Sequence, residues 1–156
     1  MRLALFQPDI PQNTGALMRI GACFRIPLDI IEPCGFALDE KRLRRTAMDY
    51  GETCVMERHA SWETFLAIHE ARGGRLVLLT TAGAVSHESF SYAPNDTLLL
   101  GRESAGVPAA VAARADGRVR IPIAAGLRSL NVAVAGAIVM AEALRQIGIF
   151  DGRLTL

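Results

Sequence analysis

The sequence predicts an α/β fold, a parallel sheet covered by helices on both faces. Three observations predict it. Short runs of Leu, Val and Ile are apolar without alternation, as strands buried on both faces are. Helical patterns separate these runs, the order that builds parallel strand–helix–strand units. No linker, repeat or low-complexity block interrupts the 156 residues, so residues 1–156 read as one domain.

The elements follow in order. Strands are expected at Arg2–Gln7, Leu28–Glu32, Thr53–Glu57, Arg75–Thr80, Thr97–Gly101 and Gly117–Ile121. Helices are expected at Asn13–Phe24, Asp39–Met48, Ser61–Ala71, Pro108–Arg114 and Asn131–Ile147. Asn13 or Thr14 can cap the first helix, Asp39 the second and Ser61 the third. Pro108 suits the first turn of the fourth, where its missing N–H costs nothing. The fifth is apolar nearly all round over Val132–Ala141, so it should be buried on most sides or form an interface between subunits.

Composition excludes several function classes. Hydrophobic residues make up 51% and charged residues 21%, an ordinary soluble balance. The net charge of +1 neither requires nor excludes a nucleic-acid partner. Lys41 is the one lysine among 17 basic residues. Arginine is the better bidentate phosphate ligand, although genomic base composition produces the same bias. Cys23, Cys34 and Cys54 form no C-x-x-C pair, which fits buried thiols in a reducing cytosol. His59, His69 and His87 stand at no metal-ligand spacing, so no metal is expected. The chain starts on a strand rather than a signal peptide. Leu130–Ala141 is too short to span a bilayer. A cytoplasmic protein is expected.

In an open parallel sheet, ligands bind beyond the carboxyl ends of the strands. The loops there carry unusual residues. Pro8-Asp9-Ile10-Pro11-Gln12-Asn13-Thr14-Gly15 is stiffened by two prolines, and Arg19 follows on the helix, so Asn13 and Arg19 can face one ligand. Gly101-Arg102-Glu103-Ser104-Ala105-Gly106 has the glycine spacing of a P-loop. Val107 and Pro108 stand where Lys and Ser/Thr should, so a P-loop is rejected. There is no G-x-G-x-x-G. What remains is a loop in which Gly101 permits close approach of a ligand and Glu103 supplies a carboxylate. Ile121-Pro122 through Arg128-Ser129-Leu130-Asn131 places a guanidinium, a hydroxyl and an amide at a helix N-terminus, a setting for an anionic or carboxylate-bearing ligand. Finally, Lys41, Arg42, Arg44 and Arg45 form a basic run. Such a run is commonly a solvated face, and it is also the best phosphate-contact patch in the chain.

Together, in this order and spacing, these segments resemble the SPOUT superfamily of RNA methyltransferases. They are closest to its small single-domain members that methylate the 2′-oxygen of the tRNA wobble nucleotide, C34 or U34. The Pro8–Gly15 loop with Arg19 matches the first motif, Gly101, Glu103, Gly106 and Pro108 the second, and Ile121-Pro122 through Asn131 the third. Ile31–Phe36 through Arg45, with Asp49-Tyr50, also looks like the wobble-base members. The chain departs from the family at Leu100, where Phe is usual, and at Ala105, where Arg is frequent. It departs again at Val132-Ala133-Val134, in place of Leu-Ser-Asn, and at Ala141, in place of an aromatic.

The resemblance implies a C-terminal trefoil knot, a homodimer and S-adenosylmethionine as cofactor, with the tRNA anticodon loop as partner and no metal or membrane. Carried over by position, the cofactor would lie among Leu79, Thr80, Leu100, Gly101, Glu103, Ile121, Ser129 and Leu130. Arg19, Asn13, Glu103, Ser129 and Asn131 would carry the chemistry. RNA would meet Lys41, Arg42, Arg44, Arg45 and Arg128. Arg19 stays protonated, so it would bind the phosphate beside the ribose or lower the hydroxyl's pKa electrostatically. The proton would pass to a phosphate oxygen, a water or Glu103. Three rivals stand beside this reading: a methyltransferase for another tRNA or rRNA position, a non-catalytic knot-fold RNA-binding module, and a different α/β enzyme. The absent P-loop and acid–base cluster argue against the last.

Overall fold

A computed structural model describes residues 1–38 and 53–148. Among the described residues, seven strands form one sheet in the order β3-β2-β1-β6-β4-β7-β5. They are β1 (Arg2–Phe6), β2 (Leu28–Ile31), β3 (Met56–His59), β4 (Leu76–Leu79), β5 (Val85–Ser86), β6 (Thr97–Leu100) and β7 (Gly117–Arg120). Every pairing is parallel, as the unbroken apolar runs predict. The helices are α1 (Pro11–Phe24), α2 (Trp62–Arg72), α3 (Ala109–Ala112) and α4 (Val132–Gln146).

The sheet is covered on both faces. Leu3 and Leu5 of β1 join Leu17 and Met18 of α1 and Val139, Met140, Ala143 and Leu144 of α4 in one core. Their neighbours Ala4 and Phe6 point the other way, to Phe65 of α2 and Val111 of α3. Alternation along a strand thus feeds two layers. Gly136 brings α4 close to its neighbours. A Cβ there would lie 2.8 Å from Leu100 Cδ1 and 2.9 Å from Leu17 Cδ2.

Several boundaries differ from expectation. β3 runs from Met56 to His59, not Thr53–Glu57. Its register pairs Leu28 with Met56 and Ile31 with His59, which buries His59 against Asp29. Neither Asn13 nor Thr14 caps α1. The helix begins at Pro11 after Ile10, with no side-chain cap, because Asn13 is drawn into contacts described below. Ser61 does cap α2, accepting from Thr64 N. α3 is only four residues long. The two-residue β5 carries no periodicity that a sequence reading could detect. α4 is not buried on most sides. Its core face is covered, but Val134 and Ile138 are 50% and 37% exposed. The expected helix Asp39–Met48 lies outside the described residues. Among the described residues, no helix is long and apolar enough to cross a membrane.

On the α2 face, a polar network stands beside the apolar core. Asp29 accepts from Arg2 Nε at 2.7 Å and pairs with His59 Nε2 at 2.8 Å. Arg2 and Arg72 also reach Glu57. Asp29, Glu57 and His59 lie close enough to hold a metal ion, a grouping that linear spacing did not reveal. Two guanidiniums already occupy the carboxylates, so the cluster is an ion-pair network, in which the buried His59 Nδ1 has no hydrogen-bond partner.

Candidate active site

The site is a cleft of about 850 Å³ at the carboxyl edge of the sheet. Loops after β4, β6 and β7 form its walls, and α1 and α4 reach it with their first turns. β1 is followed by Gln7, held at φ 46°, which turns the chain sharply into the proline loop. The loop then delivers Asn13 to the cleft, nearly buried at 8% exposure.

A chain of amides and a carboxylate links the three sequence motifs. Glu103 Oε1 accepts from Asn13 Nδ2 at 3.0 Å. Glu103 Oε2 accepts from the backbone N–H of Asp9 at 2.8 Å. Asn131 Nδ2 donates to Asn13 Oδ1 at 2.9 Å. Asn131 Oδ1 meanwhile accepts from the N–H groups of Ala133 and Val134, so it also caps α4. Three loops far apart in sequence are thereby fixed to one another by side chains whose donors and acceptors match.

Asp9 adds a second tie. Its carboxylate accepts from the Ser104 hydroxyl and from Ser104 N–H at 3.1 Å. The hydroxyl contributes most to holding the Asp9 carboxyl below the usual carboxylate range.

The β6–α3 loop folds on itself. Arg102 and Gly106 exchange both backbone hydrogen bonds at 2.9 Å. Gly106 takes φ +67°. A Cβ on Gly101 would meet the Gly106 carbonyl carbon at 2.7 Å. The loop's own backbone therefore leaves no room for a side chain at Gly101.

Leu79, Thr80, Leu100, Gly101, Glu103, Ile121, Ser129 and Leu130 all line the cleft, together with Asn13, Arg128 and Asn131. Arg19 does not. It is exposed on α1, about a turn and a half beyond Asn13. Lys41, Arg42, Arg44 and Arg45 lie outside the described residues. The cleft also takes in Ile10, Arg102 and Ile123, which lie within the three motifs but were given no role, and Arg118, which lies outside them. The signal for Arg118 was present in the alternation of Gly117-Arg118-Val119-Arg120, where Val119 is buried and Arg118 exposed. Arg102, Arg118 and Arg128 give the lining three guanidiniums against the one carboxylate of Glu103. That balance favours an anionic group on what binds there, such as a carboxylate or a phosphate.

The class of protein is set by a parallel α/β sheet with a loop-built cleft, a candidate ligand site, at its carboxyl edge. The comparisons narrow the class. Residues 1–141 match the SpoU rRNA Methylase family, and the chain belongs to that family. A tRNA (cytidine(34)-2′-O)-methyltransferase from Ancylobacter novellus is 52% identical over 150 residues, covering 96% of this chain and 95% of that protein. A structure solved for insights into the 2-OH methylation of C/U34 on tRNA superposes with a TM-score of 0.86 at 39% identity, covering 93% of this chain and 94% of that one. The AdoMet-bound rRNA methyltransferase from Sinorhizobium meliloti gives a TM-score of 0.84 at 28% identity, covering 92% of this chain and 55% of that one.

Proposed function

We propose that this chain transfers a methyl group from S-adenosylmethionine to the ribose 2′-hydroxyl of the wobble nucleotide, C34 or U34, of tRNA. The observation that carries the reading is the Glu103–Asn13–Asn131 chain, which gathers all three motifs at one cleft. The names borne by the similar proteins supply the reaction and the substrate.

The residues present fit the cofactor. The cleft has the volume of a nucleotide-sized ligand. Leu79, Leu100, Ile121 and Leu130 offer apolar walls, and Thr80 and Ser129 offer hydroxyls. When bound there, S-adenosylmethionine supplies an electrophilic methyl on a sulfonium with a neutral leaving group. The chain's own task is then to place the 2′-hydroxyl and manage its proton. Asn13, held from both sides by Glu103 and Asn131, presents a fixed amide at the cleft wall. Glu103 holds one donor on each oxygen and so orients Asn13, and the proton leaves to a phosphate oxygen, a water or Glu103. Arg19 acts on the RNA phosphate or the hydroxyl, not on the cofactor. Arg128 and the Lys41–Arg45 run contact the tRNA backbone.

The protein would work as a single-domain homodimer with a C-terminal trefoil knot, in the cytoplasm. The exposed Val134 and Ile138 on α4 support the dimer. The path of the chain supports the knot. Only residues 80–84 join β4 to β5, yet β7 lies between those strands. The strap crosses β7 so closely that a Cβ on Gly83 would meet the Val119 carbonyl carbon at 2.5 Å. Methyl transfer to tRNA by the purified protein, with its mass measured by sedimentation, tests the reading. A chain of twice the monomer mass that labels tRNA supports it; an active monomer removes the dimer, and a dimer with no transfer removes the activity.

A further inference from the structure

We propose that Asp9 is a positioning residue for this transfer: it latches the 102–106 turn to the proline loop and so holds the Glu103 carboxylate against Asn13. The inference rests on the functional reading above. Asp9 does not line the cleft, so it acts through its neighbours.

Four contacts meet at Asp9. Its backbone N–H donates to Glu103 Oε2 at 2.8 Å. Its Oδ2 accepts from both the backbone and the hydroxyl of Ser104. Its Oδ1 lies 3.4 Å from Arg102 Nε. The next segment of chain rests on it as well. Gly35 N–H donates to Pro8 O at 2.9 Å, and a Cβ on Gly35 would stand 3.0 Å from Asp9 Cα. Residues 101–106 form a wall of the cleft, and their turn is closed on itself by the Arg102–Gly106 backbone pair. A closed turn moves as a unit. Securing it at Ser104 therefore sets where the adjacent Glu103 points. No residue of the two apolar cores belongs to this latch, so its loss should leave the fold in place.

The test compares Asp9→Ala, Asp9→Asn, Ser104→Ala and the Asp9→Ala/Ser104→Ala double variant. Three quantities are read: melting temperature, calorimetric affinity for S-adenosylhomocysteine, and single-turnover methyl transfer to tRNA. Asp9→Ala should melt like the wild type, weaken S-adenosylhomocysteine about fivefold and slow transfer by about tenfold or more. Asp9→Asn, which keeps one acceptor for the Ser104 N–H, should recover part of the rate. Ser104→Ala should slow transfer by roughly threefold, and the double variant should be no slower than Asp9→Ala alone. Transfer by Asp9→Ala within about twofold of wild type overturns the proposal, as does multiplication of the two single effects. If Asp9→Ala fails to fold, Ser104→Ala, at an exposed position, decides the matter, and an unchanged rate there overturns the latch. A wild type that transfers no methyl group contradicts the proposed function instead. The latch is then judged by S-adenosylhomocysteine affinity alone, and equal affinity in Asp9→Ala overturns it.

Discussion

Asn131 and Asn13, 118 positions apart in the chain, share a hydrogen bond of 2.9 Å at the wall of the cleft. Asn131 performs two tasks at once. Its oxygen caps α4, and its nitrogen fixes Asn13. Substitution can separate them. Asn131→Asp keeps a capping oxygen but loses the donor to Asn13 and sets a second carboxylate near Glu103. It should retain wild-type stability within about 0.5 kcal/mol while losing most methyl transfer. Asn131→Ala should lose both, with a stability cost of about 1 kcal/mol. Urea unfolding alongside a transfer assay checks the pair. Equal activity in Asn131→Asp and wild type contradicts the assigned contact.

Gly101 tests the loop geometry. Gly101→Ala places a methyl group 2.7 Å from the Gly106 carbonyl carbon, so the turn must open. S-Adenosylhomocysteine affinity should fall by about tenfold or more, and EDTA should not alter binding in either protein. Wild-type affinity in the variant would show that the self-folded loop is not needed to form the site.

Arg19 separates binding from chemistry. It lies on α1 outside the cleft lining. Arg19→Ala should keep cofactor affinity and lose transfer. Arg19→Lys should restore little, because an ammonium does not reproduce the guanidinium fork. By contrast, replacing Lys41, Arg42, Arg44 and Arg45 together should weaken tRNA binding and flatten its salt dependence, with cofactor affinity intact. Filter binding across a salt series, with calorimetry for the cofactor, distinguishes the two groups. Near-normal transfer in Arg19→Ala removes Arg19 from the mechanism.

The buried network on the α2 face sets the acid stability. Burial alone would raise the Asp29 carboxyl, but hydrogen bonds from Arg2 and His59 outweigh it and hold Asp29 below the ordinary range. Its contribution is present above the unfolded value, near pH 4, and is lost as pH falls through the folded value. Burial lowers His69, so protons favour the unfolded chain below about pH 6.5. The urea midpoint should therefore drop first as pH falls below about 6.5 and again below about pH 4. His69→Gln should flatten the first step. Asp29→Asn should flatten the second and cost about 3–5 kcal/mol at neutral pH, by leaving Arg2 and His59 without their partner. An unchanged acid profile in Asp29→Asn contradicts this assignment.

The parallel sheet and the loops that line the cleft were legible because each leaves a local mark. Unbroken apolar runs such as Leu98-Leu99-Leu100 mark buried strands, and Gly101, Gly106 and the Arg128–Asn131 cluster interrupt them at the strand ends. What was illegible depends on contacts between distant segments. Nothing near Asn13 in sequence says that it will forgo capping α1 to meet Glu103 and Asn131. Likewise Asp29 is far in sequence from Glu57 and His59 and meets them only through the β2–β3 register. β5 exists only because β7 offers its edge, and its two residues carry no pattern of their own.

The most direct measurement maps the modified nucleotide. Purified protein and labelled S-adenosylmethionine would be incubated with tRNA transcripts bearing C34 or U34, and with matched transcripts carrying a 2′-deoxynucleotide at position 34. The predicted result is one 2′-O-methyl group at nucleotide 34, and none when its 2′-oxygen is absent. Methylation of the deoxy-34 transcript to the same extent, or at any other nucleotide alone, would contradict the wobble-position assignment.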